Sequence, residues 1–473
     1  MAENVQPGMR VFLVGICGAG MSSLALLLQG MGVRVRGSDL VNDSREARRL
    51  AEHGIDVLSE AVAASQLESD EILVRSSAIS PENRVYAAAQ ACGMQILHRS
   101  DVLAQIASRH FLIAVAGTHG KTTTTGMIGY VLAQLGLVPT IYVGGRILGF
   151  DELFPPYGPG RPSVNGRPVM VLETDESDRS FLKFHPDVGI VTNVDEDHLG
   201  AYGGSFQQLV RAFEQFCLQT EQCGGTVIGC GDDPQVQRIV QDLPRRVLYG
   251  SGGSGDASVR YDAATNTAII LRADQTQTLA MDHGGRVAYL NALAACLACE
   301  AAGAEFGEAV RVIAGFPGME RRMQVLSDST NGLVVTDHAD HPTEIRASLE
   351  AVRARYPGMR VVLVLQPHRY SRVASCMDGY GPAVEGVSRI FLLDIFPAGE
   401  QIDDPARLNA ALRDSVRQAV GSALEPRMPV EQLFQELRGL AGGEHVIVFM
   451  GPGDVNGLAL TFAALLTGSN TVQ

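Results

Sequence analysis

Fifteen residues constrain this chain more than any others: Phe111-Leu-Ile-Ala-Val-Ala-Gly-Thr-His-Gly-Lys-Thr-Thr-Thr-Thr125. An apolar run turns on Gly117 and Gly120 into a helix-forming stretch that reaches about residue 136. A junction of this kind aims backbone N–H groups and the positive end of a helix at one point, which suits a polyphosphate. Lys121 then reaches the β/γ phosphates and the Thr122 hydroxyl holds Mg²⁺. The residue five before Gly120 is Val115 rather than glycine. The segment is therefore a variant P-loop, with Gly117, Thr118, His119, Gly120, Lys121, Thr122 and Thr123 as its nucleotide positions. An ordinary strand-turn-helix junction is the plain alternative. Gly-Lys-Thr directly after an apolar strand argues against it, and so does lysine usage, because the chain holds only Lys121 and Lys183 against 36 arginines.

Around this segment, 473 residues at 46% hydrophobic content are enough for two to four separate cores. A net charge of −14 disfavours nonspecific nucleic-acid binding, which relies on neutralising phosphates with Lys and Arg. Anionic ligands must be held by local sites. The start, Met1-Ala-Glu-Asn-Val-Gln-Pro, has no basic-then-apolar signal pattern, and no apolar run reaches the ~20 residues of a membrane span. The expectation is a soluble, cytoplasmic monomer or homodimer with no membrane or nucleic-acid partner. Eight dispersed cysteines do not form a secreted disulfide framework, and Cys296-Leu-Ala-Cys299, one turn apart in an alanine-rich helix, reads as buried packing.

Strands and helices alternate along the chain. Residues 10–15 predict a strand, Gly15-Ile-Cys-Gly-Ala-Gly-Met21 a glycine turn opening a helix to about 31, and Val33-Arg-Val-Arg-Gly-Ser-Asp39 a second strand ending in an acid. This is the opening of a dinucleotide-type βαβ unit. Gly18, Ala19, Gly20 and Met21 stand at the helix start, and Asp39, beside Ser38, is placed to meet a ribose hydroxyl. Cys17 interrupts the glycine fingerprint, which weakens a nicotinamide reading and leaves a pyrophosphate-bearing ligand. Strands near 70–75 and 95–97 complete a first domain, and Ser76 and Ser77 lie in the loop after the former, where open parallel sheets place ligands. Strands at 138–143, 168–173 and 188–192 follow the P-loop, with a Gly/Pro-rich segment at 154–162 and hairpins over 246–280. A third set of strands, near 332–337, 360–365, 388–394 and 445–449, alternates with helices near 342–354, 404–421 and 453–468. The fold expected is α/β in three domains: Rossmann-like over 1–108, P-loop ATPase-type with a mainly parallel sheet over 109–325, and Rossmann-like over 326–473.

Glu173-Thr-Asp-Glu-Ser-Asp178 follows the 168–173 strand and Asn193-Val-Asp-Glu-Asp-His198 follows the 188–192 strand. If both strands flank the P-loop strand, these loops deliver carboxylate and imidazole ligands to the edge that carries Thr122, as a Mg²⁺-nucleotide site requires. In the third domain, Gln366-Pro-His-Arg-Tyr-Ser-Arg372 places two arginines three apart, suited to gripping a carboxylate or phosphate. Asp337-His-Ala-Asp-His-Pro-Thr-Glu344 stands at the matching end of the preceding strand, so the two loops converge.

These residues resemble the Mur ligase family along nearly the whole chain. The ordered motifs are Gly-Ile-Cys-Gly-Ala-Gly-Met at 15, Gly-Ser-Asp at 37, Ser-Ser-Ala-Ile at 76, the P-loop at 117, Asp-Glu-Ser-Asp at 175 and Asp-His at 197. They continue with Arg-Arg at 321, His-Pro-Thr-Glu at 341, Gln-Pro-His-Arg-Tyr-Ser-Arg at 366 and Pro-Ala-Gly-Glu at 397, and look most like the alanine-adding branch. The resemblance implies domains binding a UDP-sugar, ATP and an amino acid, in an enzyme of peptidoglycan precursor synthesis. In that chemistry ATP phosphorylates the carboxylate of UDP-N-acetylmuramate, and the amine of L-alanine attacks the acyl phosphate. Carried across, Lys121 stabilises the transferring phosphoryl group, and Thr122, Glu176 and His198 bind Mg²⁺. Asn291, Arg322 and Asp337 contact the nucleotide, His341 and His368 the substrates, and Arg369 and Arg372 orient the amino acid's carboxylate.

Lys183, in Ser180-Phe-Leu-Lys-Phe, does not match the carbamylated lysine of other family branches, which the alanine-adding branch also lacks. Two departures stand out. The family's Gly-Arg-His-Asn-x-x-Asn-Ala appears as Gly285-Arg-Val-Ala-Tyr-Leu-Asn-Ala292, so Val287 and Ala288 replace base-holding residues. Asp340 takes the place of a histidine near the amino acid. These leave two rivals: a paralogue joining another amino acid or peptide to a related UDP-sugar acid, and a noncatalytic UDP-sugar-binding paralogue.

Overall fold

The computed structural model describes residues 5–150, 163–253, 255–282 and 284–468; the Gly/Pro-rich segment at 154–162 lies outside them. The described residues fall into two compact units. One, formed by Met1–Val259, Ile270–Gln277 and Leu290–Phe316, holds two sheets, and the other, formed by Arg260–Ile269, Thr278–Tyr289 and Pro317–Gln473, holds a third. The α/β architecture built on three sheets agrees with the strand-helix alternation.

The first sheet is wholly parallel, in the order Asp56–Ser59, Arg34–Asp39, Arg10–Val14, Glu71–Arg75, Ile96–His98. The chain winds one way from Arg10–Val14 and then returns past it, so the switch point lies between that strand and Glu71–Arg75. Ligands of open parallel sheets bind at such a crevice. Here it presents the glycine turn and the Ser76–Ser80 loop.

The second sheet contains, in order, Arg246–Gly250, Thr226–Cys230, Val188–Val191, Phe111–Ala116, Arg167–Glu173 and Thr140–Tyr142, paired in parallel. All six residues of Phe111–Ala116 are buried, as the central strand of a sheet covered on both faces requires. Its neighbours are the two strands that carry the acidic loops. Within the 246–280 segment expected to form hairpins, Ala257–Asp262, Thr267–Arg272 and Gln275–Ala280 lie side by side in chain order at the sheet's edge, whereas the first strand pairs differently. Arg246–Gly250 joins the sheet in parallel and pairs in parallel with Ala257–Asp262 at Tyr249↔Ala257. Asp256, just ahead of that strand, is tied to the edge of Arg246–Gly250, with Leu248 N–H donating to Asp256 Oδ2 at 2.9 Å and Asp256 N–H to the Leu248 carbonyl at 2.8 Å.

One apolar cluster underlies both sheets, running from Val11 and Leu24 through Leu112 and Leu172 to Phe181, Phe213 and Phe216. The Phe181 ring stands 5.2 Å from Phe213 and 5.5 Å from Phe216. Truncating a ring so enclosed costs about 3–5 kcal/mol. Cys296 and Cys299 are buried thiols in the Arg286–Ala301 helix, raised in pKa by burial, in agreement with the packing reading.

The third sheet runs Gln324–Ser329, Gly332–Asp337, His445–Met450, Arg360–Leu365, Arg389–Leu392. Its first pair is antiparallel, and the rest are parallel. Gln324–Ser329 did not announce itself in the sequence, because polar Ser327, Asp328 and Ser329 break its apolar alternation at a bulge. The helices Pro342–Arg355, Pro405–Val420 and Val455–Thr467 stand where periodicity put them.

Candidate active site

In the first sheet, Gly15 and Ile16 N–H groups donate to the Ser38 carbonyl at 2.8 and 3.0 Å, tying the glycine turn to the next strand. Asp39 Oδ2 accepts from Cys17 N–H at 2.9 Å and Oδ1 from Val41 N–H at 3.3 Å, so the acid expected to meet a ribose also shapes the turn itself. Gly18 precedes the Ala19–Gly30 helix, Met21 is buried within it, and Ser38 is fully buried. A Cβ at Gly20 would lie 2.3 Å from Arg99 Nη1 and 2.9 Å from the Tyr142 hydroxyl. Arg99, which no local sequence pattern marks, donates through Nη2 to Asp175 Oδ2 at 2.5 Å. Ser77, in the loop that also holds Ser76, donates to Asp178 Oδ2 at 2.5 Å and lies 3.0 Å from His98 Nε2. The glycine turn and the serine loop are thus joined to the acidic run 173–178.

The P-loop is held from both flanking strands. Gly117 (φ +136°) leaves no room for a side chain, since a Cβ would meet Thr192 Oγ1 at 2.0 Å. Thr118 N–H donates to the Asn193 carbonyl at 3.1 Å, His119 N–H to Asn193 Oδ1 at 2.8 Å, and Thr192 Oγ1 to the His119 carbonyl at 2.6 Å. His119 Nε2 lies 3.0 Å from Asp195 Oδ2. Gly120 (φ +82°) starts the Lys121–Gln134 helix, and Asn291 abuts it, 2.9 Å from where a Cβ would stand. Thr123 is half-buried in the first turn of that helix.

The opposite flank supplies the carboxylates. Thr122 Oγ1 donates to Glu173 Oε1 at 2.7 Å, and Glu173 Oε2 accepts from Gly144 N–H at 2.6 Å. Lys121 Nζ donates to the carbonyls of Gly117 and Thr118 at 2.6 and 3.0 Å and to Glu176 at 2.9 Å. Burial draws the Lys121 pKa down, but the carboxylates of Glu176, Glu173 and Asp175 together more than offset this and leave it raised. Burial pushes Glu176 up to about 7 despite the lysine. Of the three expected metal ligands, Thr122 and Glu176 both face this corner. His198 has a left-handed backbone (φ +56°) and its Nε2 lies 3.4 Å from Asp197 Oδ2. The partner of the Thr122 hydroxyl is Glu173. That residue was legible as the head of the acidic run, and its register opposite Val115 identifies it. Hydroxyl and carboxylate oxygens of this kind fit a hard divalent cation carrying nucleotide phosphates.

In the other unit, Asp337 is buried at its strand end. Its Oδ2 accepts from Met323 N–H at 2.7 Å, and Oδ1 from Ala339 N–H at 2.9 Å and the Ser348 hydroxyl at 3.0 Å. Burial raises its pKa against the pull of Arg322. His341 caps the Pro342–Arg355 helix, its Nδ1 accepting from Thr343 N–H at 3.3 Å, with Nε2 3.4 Å from Cys376 Sγ. His368 stacks on Phe396 at 5.8 Å, and its Nδ1 lies 3.4 Å from Asp340 Oδ2. Arg372 is ion-paired through Nη1 to the same Asp340 oxygen. Arg369 is exposed, has a strained backbone (φ +65°, ψ 128°), and is fixed by its N–H donating to the Phe396 carbonyl at 2.8 Å.

A glycine turn at the switch point of one parallel sheet, a P-loop with lysine, threonine and acids in the next, and a third α/β sheet together define a multidomain P-loop protein built to handle nucleotide phosphates. Three family models match in order: Mur ligase family, catalytic domain, over residues 10–111; Mur ligase middle domain, over 115–299; and Mur ligase, glutamate ligase domain, over 321–453. This chain is similar to the UDP-N-acetylmuramate--L-alanine ligase of Symbiobacterium thermophilum, 35% identical over 97% of this chain and 94% of that protein. It is 34% identical to the protein of the same name from Pelodictyon phaeoclathratiforme, over 98% and 96%. Among solved structures it resembles UDP-N-acetylmuramate-alanine ligase MurC from Thermotoga maritima, with TM-score 0.80, 24% identity and coverage of 98% and 100%. A murein peptide ligase from Psychrobacter arcticus is similar at TM-score 0.71 and 21% identity, with the same coverage. The chain belongs to the Mur ligase family.

Proposed function

We propose that this chain is an ATP- and Mg²⁺-dependent ligase that joins L-alanine to the carboxylate of UDP-N-acetylmuramate in cytoplasmic peptidoglycan precursor synthesis. Its modules are a UDP-sugar-binding 1–108, an ATP-binding 109–325 and an amino-acid-binding 326–473. One observation carries the reading: Thr122 and Lys121 meet Glu173 and Glu176 at a corner tied through Asp175 and Asp178 to the glycine turn and serine loop.

A carboxylate is a poor electrophile until it bears a leaving group. Lys121, buried and charged, is suited to stabilising charge on a phosphoryl group as it moves to the sugar's carboxylate oxygen. Thr122, Glu173 and Glu176, with His198, would hold Mg²⁺, which when bound supplies neutralisation of phosphate charge. Gly120 and the first residues of the Lys121–Gln134 helix present N–H groups to the phosphates, with Asn291 beside Gly120 toward the nucleotide. Gly18, Ala19, Gly20, Met21, Ser38, Asp39, Ser76 and Ser77 serve the UDP-sugar. Arg322 and Asp337 serve the nucleotide, and His341, His368, Arg369 and Arg372 the incoming amino acid. Loss of an ammonium proton makes the amine a nucleophile, which displaces phosphate from the acyl carbon and leaves an amide.

Phosphate release with UDP-N-acetylmuramate, Mg²⁺-ATP and each amino acid in turn tests this. Release dependent on L-alanine is expected. Release with a different amino acid alone would mark a paralogue, and none with any would mark a noncatalytic binder.

A further inference from the structure

Arg179 closes the acidic run that follows the Arg167–Glu173 strand, and its backbone is left-handed (φ +63°, ψ 11°), a region that a residue with a side chain enters at a cost. The conformation is held from both ends. Its N–H donates to the Glu176 carbonyl at 3.0 Å, and its own carbonyl accepts from Leu182 N–H at 3.2 Å. The same Glu176 carbonyl accepts the hydroxyl of Tyr202 at 2.6 Å. Tyr202 is fully buried and ends the Leu199–Tyr202 turn that follows His198. The Arg179 guanidinium lies over that ring, 5.4 Å from its centre, so it is held between the two loops that flank the P-loop.

The acids around it are already engaged. Asp175 accepts from Ser177 and Arg99, Glu176 from Lys121, and Asp178 from Ser180 N–H and the Ser77 hydroxyl. The Arg179 side chain makes no hydrogen bond or ion pair among the described residues, and the residue is exposed. A ring face steadies a guanidinium without neutralising it, and the N–H donors remain for an anion.

Resting on the reading of this corner as the place where a sugar-borne acid is activated, we propose that Arg179 binds the carboxylate of the sugar nucleotide and orients it toward the transferring phosphoryl group. Position favours the carboxylate over the pyrophosphate. Arg179 is one residue from Asp178, which meets the serine loop, and three from Glu176, which meets Lys121. The acid has to lie between those two groups. A guanidinium fork fixes the plane of a carboxylate, and phosphoryl transfer to one of its oxygens needs that orientation. The strain at Arg179 is consistent with this role, because glycine would suit the backbone better but carry no charge.

Calorimetric titration of the full chain tests the assignment, using UDP-N-acetylmuramate and UDP-N-acetylglucosamine, the same nucleotide sugar without its acid. Arg179→Met and Arg179→Gly are each expected to weaken UDP-N-acetylmuramate binding by about 10–30-fold, the size of a lost charge-assisted contact, and UDP-N-acetylglucosamine binding by less than about 2-fold. Arg179→Gly should melt near the wild-type temperature, since relief of the left-handed backbone offsets the lost ring contact. Its lost affinity then does not arise from misfolding. Unchanged affinity for UDP-N-acetylmuramate in the variants overturns the assignment, as does equal weakening of both ligands. A wild-type chain that binds no UDP-N-acetylmuramate overturns the functional reading and the assignment together, a pattern distinct from normal wild-type binding that the variants retain.

Discussion

The Thr122 hydroxyl donates to Glu173 Oε1 at 2.7 Å, joining the first turn of the P-loop helix to the C-terminal end of the adjacent strand. Sheet order produces this contact. Phe111–Ala116 and Arg167–Glu173 are parallel neighbours with Val115 level with Glu173, so the acid reaches the helix start two residues beyond Gly120. On the proposed reading, Glu173 would share the Mg²⁺ role proposed for Thr122. Glu173→Gln should raise the Mg²⁺ concentration needed for half-maximal phosphate release by about 10–100-fold with little change in melting temperature. A Mg²⁺ titration superimposable on wild type would remove Glu173 from the site.

Lys121 and Glu176 form a buried pair, with side chains 16% and 2% exposed. Lys121→Ala should lower turnover by about 10³-fold or more through loss of phosphoryl stabilisation while UDP-sugar binding survives. It should also destabilise the protein by about 3 kcal/mol, because Glu176 is left buried without its cation. Adding Glu176→Gln should restore the melting temperature without restoring turnover. Retained turnover in Lys121→Ala would refute the role given to the lysine.

Gly20 is a close-approach glycine, since a Cβ there would meet an Arg99 guanidinium already anchored on Asp175. Gly20→Ala should displace Arg99, cost about 1–3 kcal/mol of stability as overpacking does, and weaken UDP-sugar binding. Calorimetry on wild type and variant measures this. An unchanged sugar-nucleotide affinity would detach this turn from the UDP-sugar.

His338 provides a pH prediction. Burial, then Arg322 and Arg321, hold its pKa well below the ordinary 6.5. Below about pH 6.5 the unfolded chain binds a proton that the folded chain refuses, so stability falls as the pH drops. The contribution approaches about 1.4 kcal/mol per pH unit. His338→Gln should flatten the loss of stability between pH 6.5 and 5.5 by about 1 kcal/mol. Identical slopes in denaturant melts of the two proteins would contradict the assignment.

Much of this molecule was legible in the sequence because its strands are short apolar runs ended by glycine turns or acids. Phe111–Ala116 with Gly117 and Gly120 located the P-loop, and the acids after Arg167–Glu173 and the Asn193–His198 loop fell on its flanks because parallel neighbours share a C-terminal edge. What stayed hidden depends on register and on side-chain reach. Glu173 rather than Glu176 meets Thr122 because of its level against Val115. Arg99, on a helix of the first sheet, reaches Asp175 across 76 residues of sequence, and no local pattern marks such a pair. Asp340 was visible as a departure from the family, but its ion pair with Arg372 required the two loops to be seen together.

The central claim is that the sugar-borne carboxylate is activated by phosphoryl transfer, and oxygen tracing tests it most directly. UDP-N-acetylmuramate labelled with ¹⁸O in its carboxylate is turned over with Mg²⁺-ATP and L-alanine, and the released phosphate is analysed by mass spectrometry. The account predicts one carboxylate oxygen in each phosphate released, because the acyl C–O bond breaks when the amine attacks. Amide formation with no ¹⁸O in the phosphate would contradict it.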